Sequence, residues 1–517
     1  MKSFTICVRV RVCVKSGTPH ITPVVSDQFS LFSMPRALVT AGTGFLAHHL
    51  IQQLLEKNWE VTATYRGNDS SPKLAWLKHQ AQTSSKGSLR LIQRELTNVE
   101  VLIDAFEGHA IIFHTAAAVQ LGASDVFSEM IDPALEMTRA VFQASVQTAS
   151  VRKLIFTSSD SAVVENPPLD RVLTESDWNE TSTPTHNPYK YMKTVTEREL
   201  WKLYDAWLES EKENSTRECA LDVIAINPGL IIGPFLNAAT HGQLSSLDVI
   251  CKLMRGDMKH GVPNLVFPST DVNDVVQTHL AAAENSQASG RYLVVSEGVS
   301  YPQMAQLLRQ HFPAYHAFIP TRTLPSLLVE TAAKVWGPAA ASGNSALLPW
   351  SIMRTWLDSK PQFSQQKVSE ELLHRPLQSC DTALIACANS LIACGAVPER
   401  RCERSYRLED YRVWPIHVPA GKNHPEIVTI REHGLIRLHC QVTVEADTCP
   451  IEIESGSLEE NDWKVLVPKE WIHGGGWEAT MTVQAPTSLR VTFYNSHSWV
   501  TSKAIQWSCV LQAEQGL

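Results

Sequence analysis

The chain predicts an α/β architecture, a doubly wound parallel sheet with a smaller lobe attached, followed by an antiparallel β-sandwich. Three observations carry this. A short apolar strand at 37–39 runs through a turn of small residues into an amphipathic helix. Apolar strands then alternate with helical stretches to about residue 208. From residue 413 onward the periodicity drops to two, and turn residues punctuate short runs.

The first unit opens at Arg36. Ala37, Leu38 and Val39 read as a buried strand, and 48–59 as a helix with Leu50, Ile51, Leu54 and Leu55 at helical spacing. Between them lie Thr40, Ala41, Gly42, Thr43, Gly44, Phe45, Leu46 and Ala47. Such a turn lets the backbone pass close to a pyrophosphate, whose charge the helix N-terminus favours. The plainer alternative is an ordinary strand-to-helix turn with glycines for steric reasons. The next strand, 61–64, ends in Tyr65-Arg66 with no acidic residue to grip a ribose diol. Arg66 instead offers a guanidinium fork suited to a 2′-phosphate, and Lys73 a second cation, which favours NADPH over NADH. Two solvated surface cations are the alternative.

Strands at 89–93, 110–114 and 153–157 follow, with helices at 99–106, at 127–145 and from Tyr189 to about 208. This order implies a Rossmann-type parallel sheet covered on both faces. Ligands then sit outside the carboxyl ends of the strands, where Ser159 and Asn227 fall. After Gly233 the alternation loosens. Residues 235–265 and 300–375 are expected to form a mostly helical lobe closing over the substrate, with Asp271 leading a helix back to the core and a loop at 337–345.

Tyr189 and Lys193 stand four residues apart, downstream of Thr157-Ser158-Ser159. A phenol, an ammonium and a hydroxyl so arranged can protonate a carbonyl while a hydride arrives from a nicotinamide. Tyr189 is the expected proton donor, Lys193 the charge that lowers its pKa, and Ser159 the group that holds the substrate oxygen. The spacing alone is common on solvated helix faces; the dinucleotide half before it gives it weight.

Residues 34–398 resemble the extended, atypical short-chain dehydrogenase/reductases, in particular the dihydroflavonol reductase, cinnamoyl-CoA reductase and methylglyoxal (carbonyl) reductase group. The matching stretches are 38–47, Tyr65-Arg66 with Lys73, Phe113-His114-Thr115-Ala116-Ala117, Phe156-Thr157-Ser158-Ser159, Tyr189 to Lys193 with Glu197, and 226–234. The resemblance implies Ser159, Tyr189 and Lys193 as the catalytic set. It implies cofactor contacts at Thr40, Gly42, Thr43, Gly44, Phe45, Leu46, Arg66, Lys73, Glu95, Leu96, Thr115, Ala116, Ala117, Tyr189, Lys193, Asn227 and Pro228. Glu95 falls where the group has an aspartate near the adenine, and Asn227 and Pro228 border the nicotinamide.

The departures bear on the cofactor and leave the substrate open. Ala41 replaces the first glycine of the turn, where a methyl group restricts the backbone and weakens cofactor affinity. Met137 replaces a glycine beside the cofactor. Val164 stands where dihydroflavonol reductases carry a flavonoid-binding asparagine, and the cinnamoyl-CoA reductase signature is missing around Pro188-Tyr189. The stretch 173–179 is similar to the carbonyl-reductase branch. The expected activity is therefore NADPH-dependent reduction of an aldehyde or ketone of a small or secondary-metabolite substrate. Alternatives are an NAD(P)-dependent hydroxysteroid or alcohol dehydrogenase, a sugar epimerase on the same fold, and a trafficking adaptor with a degenerate nucleotide site.

Composition agrees with a globular chain of two or three domains: 517 residues, 44% hydrophobic and 19% charged. A net charge of −8 and the lack of a basic-aromatic stripe give no reason to expect nucleic acid. Eleven cysteines with no C-x-x-C pair point to reduced thiols in the cytosol, and Cys380, Cys387 and Cys394 read as one apolar helix stripe. No stretch approaches a membrane span. Residues 1–33 read as a disordered extension or a weak mitochondrial-type presequence.

Residues 410–517 read as the β-sandwich, with strands at 427–430, 435–444, 451–454, 480–483 and 489–494. The closing stretch 489–503, with Val418-Pro419-Ala420-Gly421 as opening strand, resembles GOLD (Golgi dynamics) domains. That implies a protein- or membrane-adaptor partner and a cytoplasmic chain peripheral to Golgi or other endomembranes. A sandwich that merely caps the reductase or mediates oligomerisation is the alternative.

Overall fold

The structure is a computed structural model that describes residues 34–116, 125–168, 170–214, 220–237, 247–331 and 355–400. Toward the C-terminus it describes 403–406, 412–418, 423–444, 448–457, 462–473, 477–494 and 503–513. The extension 1–33, the loop expected at 337–345, and most of the GOLD-like closing stretch beyond Tyr494 lie outside these residues.

The glycine turn sets the first crossover. Strand β1 (Arg36–Val39) feeds helix α1 (Phe45–Glu56), which ends where Asn58 takes a left-handed φ of 67°, a conformation asparagine tolerates. Next come β2 (Glu60–Tyr65), α2 (Ala75–Thr83), β3 (Ser88–Gln93), α3 (Val99–Phe106) and β4 (Ile111–His114). They are followed by α4 (Asp132–Gln147), β5 (Lys153–Thr157), α5 (Pro188–Asn214) and β6 (Asp222–Pro228). A wide helical turn at Phe127–Ile131 precedes α4 and accounts for the longer helix expected there.

Among the described residues, these strands and β10 (Gly290–Val294) form a seven-stranded parallel sheet in the order β10-β6-β5-β4-β1-β2-β3. The order reverses at β1, so a crevice opens between the carboxyl ends of β1 and β4. Side-chain alternation explains the double covering. Ala37 and Val39 face one apolar cluster with Leu50 and Leu54 of α1, whereas Leu38 faces another with Leu102, Val141 and Leu200 of α3, α4 and α5.

The smaller lobe is built around β7 (Leu230–Ile232), α6 (Asp248–Arg255), β8 (Val262–Pro263) and β9 (Val266–Asp271). Helix α7 (Val272–Glu284) returns to the core, capped by Asp271, whose carboxylate accepts from Asn273 N at 2.7 Å. Strand β11 (Glu297–Ser300), helix α8 (Tyr301–His311) with a full capping box on Ser300, β12 (Thr323–Leu324) and α9 (Asp381–Ala393) complete it. Cys380 and Cys387 are buried and Cys394 half-buried along α9, as a packed stripe requires.

The C-terminal strands are β13 (Glu403–Tyr406), β14 (Arg412–Val418), β15 (Asn423–Val444), β16 (Thr448–Ser457), β17 (Asp462–His473), β18 (Trp477–Tyr494) and β19 (Lys503–Ala513). They pair antiparallel in the order β14-β19-β15-β18-β16-β17, with β13 parallel to β15. Two pairs of strands expected as separate are continuous. The runs at 427–430 and 435–444 are one strand, as are those at 480–483 and 489–494. A register shift between Ile430 and Gly434 falls opposite Pro486. Proline has no N–H to give the ladder, so a bulge accommodates it without ending the strand. Hydrogen bonding thus joins one sheet, whose long β15–β18 pair carries β19 at one end and β16 at the other. No helix among the described residues is long and apolar enough to cross a membrane.

Candidate active site

The carboxyl edge of the parallel sheet is stitched together by Thr40. Its Oγ1 accepts from the backbone N–H of Thr115 at 3.1 Å and of Ala116 at 3.3 Å, and lies 3.1 Å from His114 Nδ1. Thr115 Oγ1 donates to Thr40 O at 2.6 Å. The ends of β1 and β4 are thereby fixed side by side. Burial holds His114 neutral, its pKa lowered to about 3, with the nearby Lys193 charge adding to the effect.

The turn itself is tight. Gly42 N donates to Thr64 O at 2.7 Å, and a Cβ there would meet the Ala63 Cβ at 2.8 Å. Ala41 adopts a φ of 50°, a left-handed conformation that costs an alanine about 1–2 kcal/mol and a glycine almost nothing. The backbone shape of the glycine turn is kept despite the substitution. Thr43 and Gly44 follow half-exposed, and Phe45 and Leu46 are buried at the start of α1.

Arg66 is exposed just beyond β2, and Lys73 lies half-exposed in the short turn Pro72–Leu74. Among the described residues neither side chain has a hydrogen-bond or ion-pair partner. Both cations are therefore available to an anion. Glu95 is exposed and Leu96 buried after β3. Ala117 lies outside the described residues.

Ser159 lies two residues past the end of β5, whose register sets Thr157 against Ile226 and so brings Ser159 beside Asn227. Asn227 Nδ2 donates to Ser159 O at 3.2 Å and to Glu197 at 2.6 Å. A carboxylate only accepts, so the amide nitrogen must face Glu197. Asn227 Oδ1 is then a buried acceptor with no partner among the described residues, suited to a donor on a bound group. Glu197, fully buried on α5, also accepts from Ser158 Oγ at 2.5 Å, Trp201 Nε1 at 3.2 Å and Arg291 Nε at 2.6 Å. Arg291 reaches it from β10 while stacking 3.8 Å over the Trp178 ring.

Pro188 opens α5, with Asn187 Oδ1 accepting from Lys190 N at 3.5 Å. Tyr189 and Lys193 consequently share one face, one turn apart. Tyr189 lies close enough to Ser159 for that hydroxyl to influence its phenol, and Tyr189 and Lys193 both feel the charge of Asp160. The Tyr189 pKa, however, is not lowered. Burial first, then the charge of Asp160, push it up to about 12, opposed by the Ser159 hydroxyl. Burial also pulls Lys193 down to about 8, and Glu197 and Asp160 lie close enough to draw on its charge. The phenol therefore holds a proton throughout the neutral range.

Two residues passed over in the sequence reading stand beside this trio. Asp160 is buried and accepts from Ser159 Oγ at 2.9 Å. Lys190 is buried, donates to Val164 O at 3.0 Å and lies 4.2 Å from the centroid of the Trp356 ring. Their signal in the sequence was adjacency: each is a charged residue one position after a catalytic candidate, in a stretch otherwise expected to be buried.

A parallel sheet with a glycine turn at its switch point, cations past the second strand and a protonated phenol at the crevice defines an NAD(P)-dependent oxidoreductase. Residues 37–295 match the NAD dependent epimerase/dehydratase family, and the chain belongs to it. It is 32% identical over 288 residues to cinnamoyl-CoA reductase 1 of Petunia hybrida, covering 55% of this chain and 79% of that one. It is 30% identical over 294 residues to an anthocyanidin reductase of Vitis vinifera, covering 54% and 81%. In fold it is similar to yeast methylglyoxal/isovaleraldehyde reductase Gre2 complexed with NADPH, with a TM-score of 0.55, 19% identity, and coverage of 69% of this chain and 98% of that one. Gre2 from Candida albicans gives 0.53, 22%, 70% and 99%.

Proposed function

We propose that the chain reduces the carbonyl of an aldehyde or ketone, small or secondary-metabolite in kind, with NADPH as reductant and Tyr189 as proton donor. The carrying observation is Tyr189, a phenol that keeps its proton to about pH 12, close beside Ser159 past the end of β5. The residues fit the cofactor: the turn excludes a Cβ at Gly42, Arg66 and Lys73 suit a 2′-phosphate, and Asn227 Oδ1 awaits a donor. Thr40, Thr43, Gly44, Phe45, Leu46, Glu95, Leu96, Thr115, Ala116 and Pro228 complete the same edge. NADPH, when bound, supplies the hydride for the carbonyl carbon.

Tyr189 donates its O–H to the carbonyl oxygen as negative charge develops there. The Lys193 ammonium, one helical turn away, stabilises the phenolate left behind. Glu197 and Asn227 hold the strand end carrying Ser159, fixing the geometry before substrate arrives. Relatives named cinnamoyl-CoA reductase and anthocyanidin reductase support a reductase, and the first of these names supports an acyl or carbonyl substrate. Val164, buried with its carbonyl taken by Lys190, weighs against a dihydroflavonol.

Replacing Tyr189 by Phe tests the reading. Turnover of a carbonyl panel, followed by NADPH consumption, should fall by about 10²–10⁴-fold. NADPH binding by fluorescence titration should persist. Unchanged turnover would remove Tyr189 from the chemistry, and absence of NADPH binding in the native protein would favour the adaptor reading. We read 34–398 as the catalytic unit and 410–517 as a GOLD-like module for a protein or membrane partner in the cytoplasm. The resemblance at Val418 and at 489–494 supports this.

A further inference from the structure

We propose that Asp160 is a positioning residue that governs whether the Ser159 hydroxyl is available to a substrate carbonyl, through the hydrogen bond its carboxylate accepts from Ser159 Oγ. This rests on the reading of Ser159 and Tyr189 given above. A serine has one hydrogen to donate. Here it goes to Asp160 Oδ1 at 2.9 Å, while the same oxygen accepts from Ser161 N at 3.2 Å. Both bonds belong to the short helical turn Asp160–Ala162, which Ser159 caps just past β5. In this arrangement the only hydrogen of Ser159 is turned toward Asp160 and away from a substrate carbonyl, which leaves Tyr189 as the donor of the pair.

Protonating Asp160 changes that. A neutral carboxyl needs no donor from Ser159, and the serine hydroxyl can rotate toward the substrate as a second donor. The groups facing Asp160 are Ser159 and Ser161 from its own turn and Tyr189, Lys190 and Lys193 from α5. From β6 the same turn is met by Asn227, which donates to Ser159 O and Glu197. Burial raises the Asp160 pKa and Lys190 is the main influence holding it down. The switch therefore operates above the ordinary aspartate range, and Lys190 sets where.

The first readout needs no turnover. An infrared titration of the full-length protein should show a buried carboxyl protonating above the ordinary aspartate range, a signal absent from Asp160→Asn. Lys190→Met should move that midpoint upward. The second readout is the pH profile of isovaleraldehyde reduction. In the native protein kcat/KM should rise as pH falls through the same midpoint. Asp160→Ala should lose that rise and gain about 10-fold or more at neutral pH, up to the 10²–10³ that one oxyanion donor is worth. A carboxyl signal missing from the native protein, a midpoint indifferent to Lys190→Met, or an Asp160→Ala profile identical to native overturns the proposal. Native-like turnover in Tyr189→Phe would instead overturn the catalytic reading beneath it, leaving the carboxyl titration to stand by itself.

Discussion

At the scale of a single residue, Arg66 is the side chain we propose for cofactor choice. It stands exposed past β2 with no partner among the described residues, where related folds grip the ribose. Arg66→Ala should raise the KM for NADPH by about 10-fold or more, the worth of one charge-assisted pair, and leave that for NADH nearly unchanged. Steady-state kinetics with both cofactors check this; equal effects would remove the phosphate assignment. Arg66 was legible because a missing acid and a present guanidinium can be read in a string of letters. The direction of the Tyr189 shift was not. Spacing places Lys193 nearby, but only packing reveals that burial and then Asp160 set the Tyr189 shift, and that burial lowers Lys193 against the pull of Glu197. Ala41 is intermediate. The sequence raised the question of a crowded turn, and the φ of 50° answers that the strain is accepted and the shape kept.

At the scale of elements, Glu197 joins three strand ends to one helix. From α5 it takes hydrogen bonds from Ser158 past β5, Asn227 on β6 and Arg291 on β10. Glu197→Gln leaves the Arg291 guanidinium, itself only 8% exposed, without its counter-charge. Breaking one side of a buried pair costs about 3–5 kcal/mol. Denaturant unfolding should show a loss of that size, and a loss below 1 kcal/mol would mean the network is relieved by water. Glu197 was readable as part of a motif, but Arg291, over ninety residues on, carried no local signal. The same limit shaped the reading of β15 and β18. Ala485-Pro486 looks like a turn in sequence, and only the partner strand supplies the bulge that lets the chain run straight through. The parallel strands, by contrast, were read in place, since a strand buried on both faces is apolar throughout and bounded by its neighbours' helices.

Across the whole molecule, burial leaves several histidines neutral. His48 and His114 are lowered to about 3, and His49 and His279 to about 4, in each case chiefly by desolvation. In the unfolded chain these groups bind protons near pH 6.5, while the folded protein does so only near 3–4. Unfolding therefore takes up protons between those limits, and stability is full above pH 6.5 and falls as the pH drops below it. Each such proton contributes about 1.4 kcal/mol per pH unit. The melting temperature should decline steeply from pH 6.5 to pH 4, and a flat profile would mean that these rings reach solvent. Composition gave nineteen histidines without saying which are enclosed, and enclosure is a property of the assembled fold.

The continuity of β15 and β18 has a mechanical consequence for the C-terminal region. Their ladder runs from Asn423 opposite Tyr494 to Val442 opposite Trp477, interrupted by a single bulge. A load applied to the β16–β17 edge passes along the same two backbones to β14 and β19. The region is one hydrogen-bonded sheet rather than two separate leaves, so its two ends are joined through the same continuous pair of backbones.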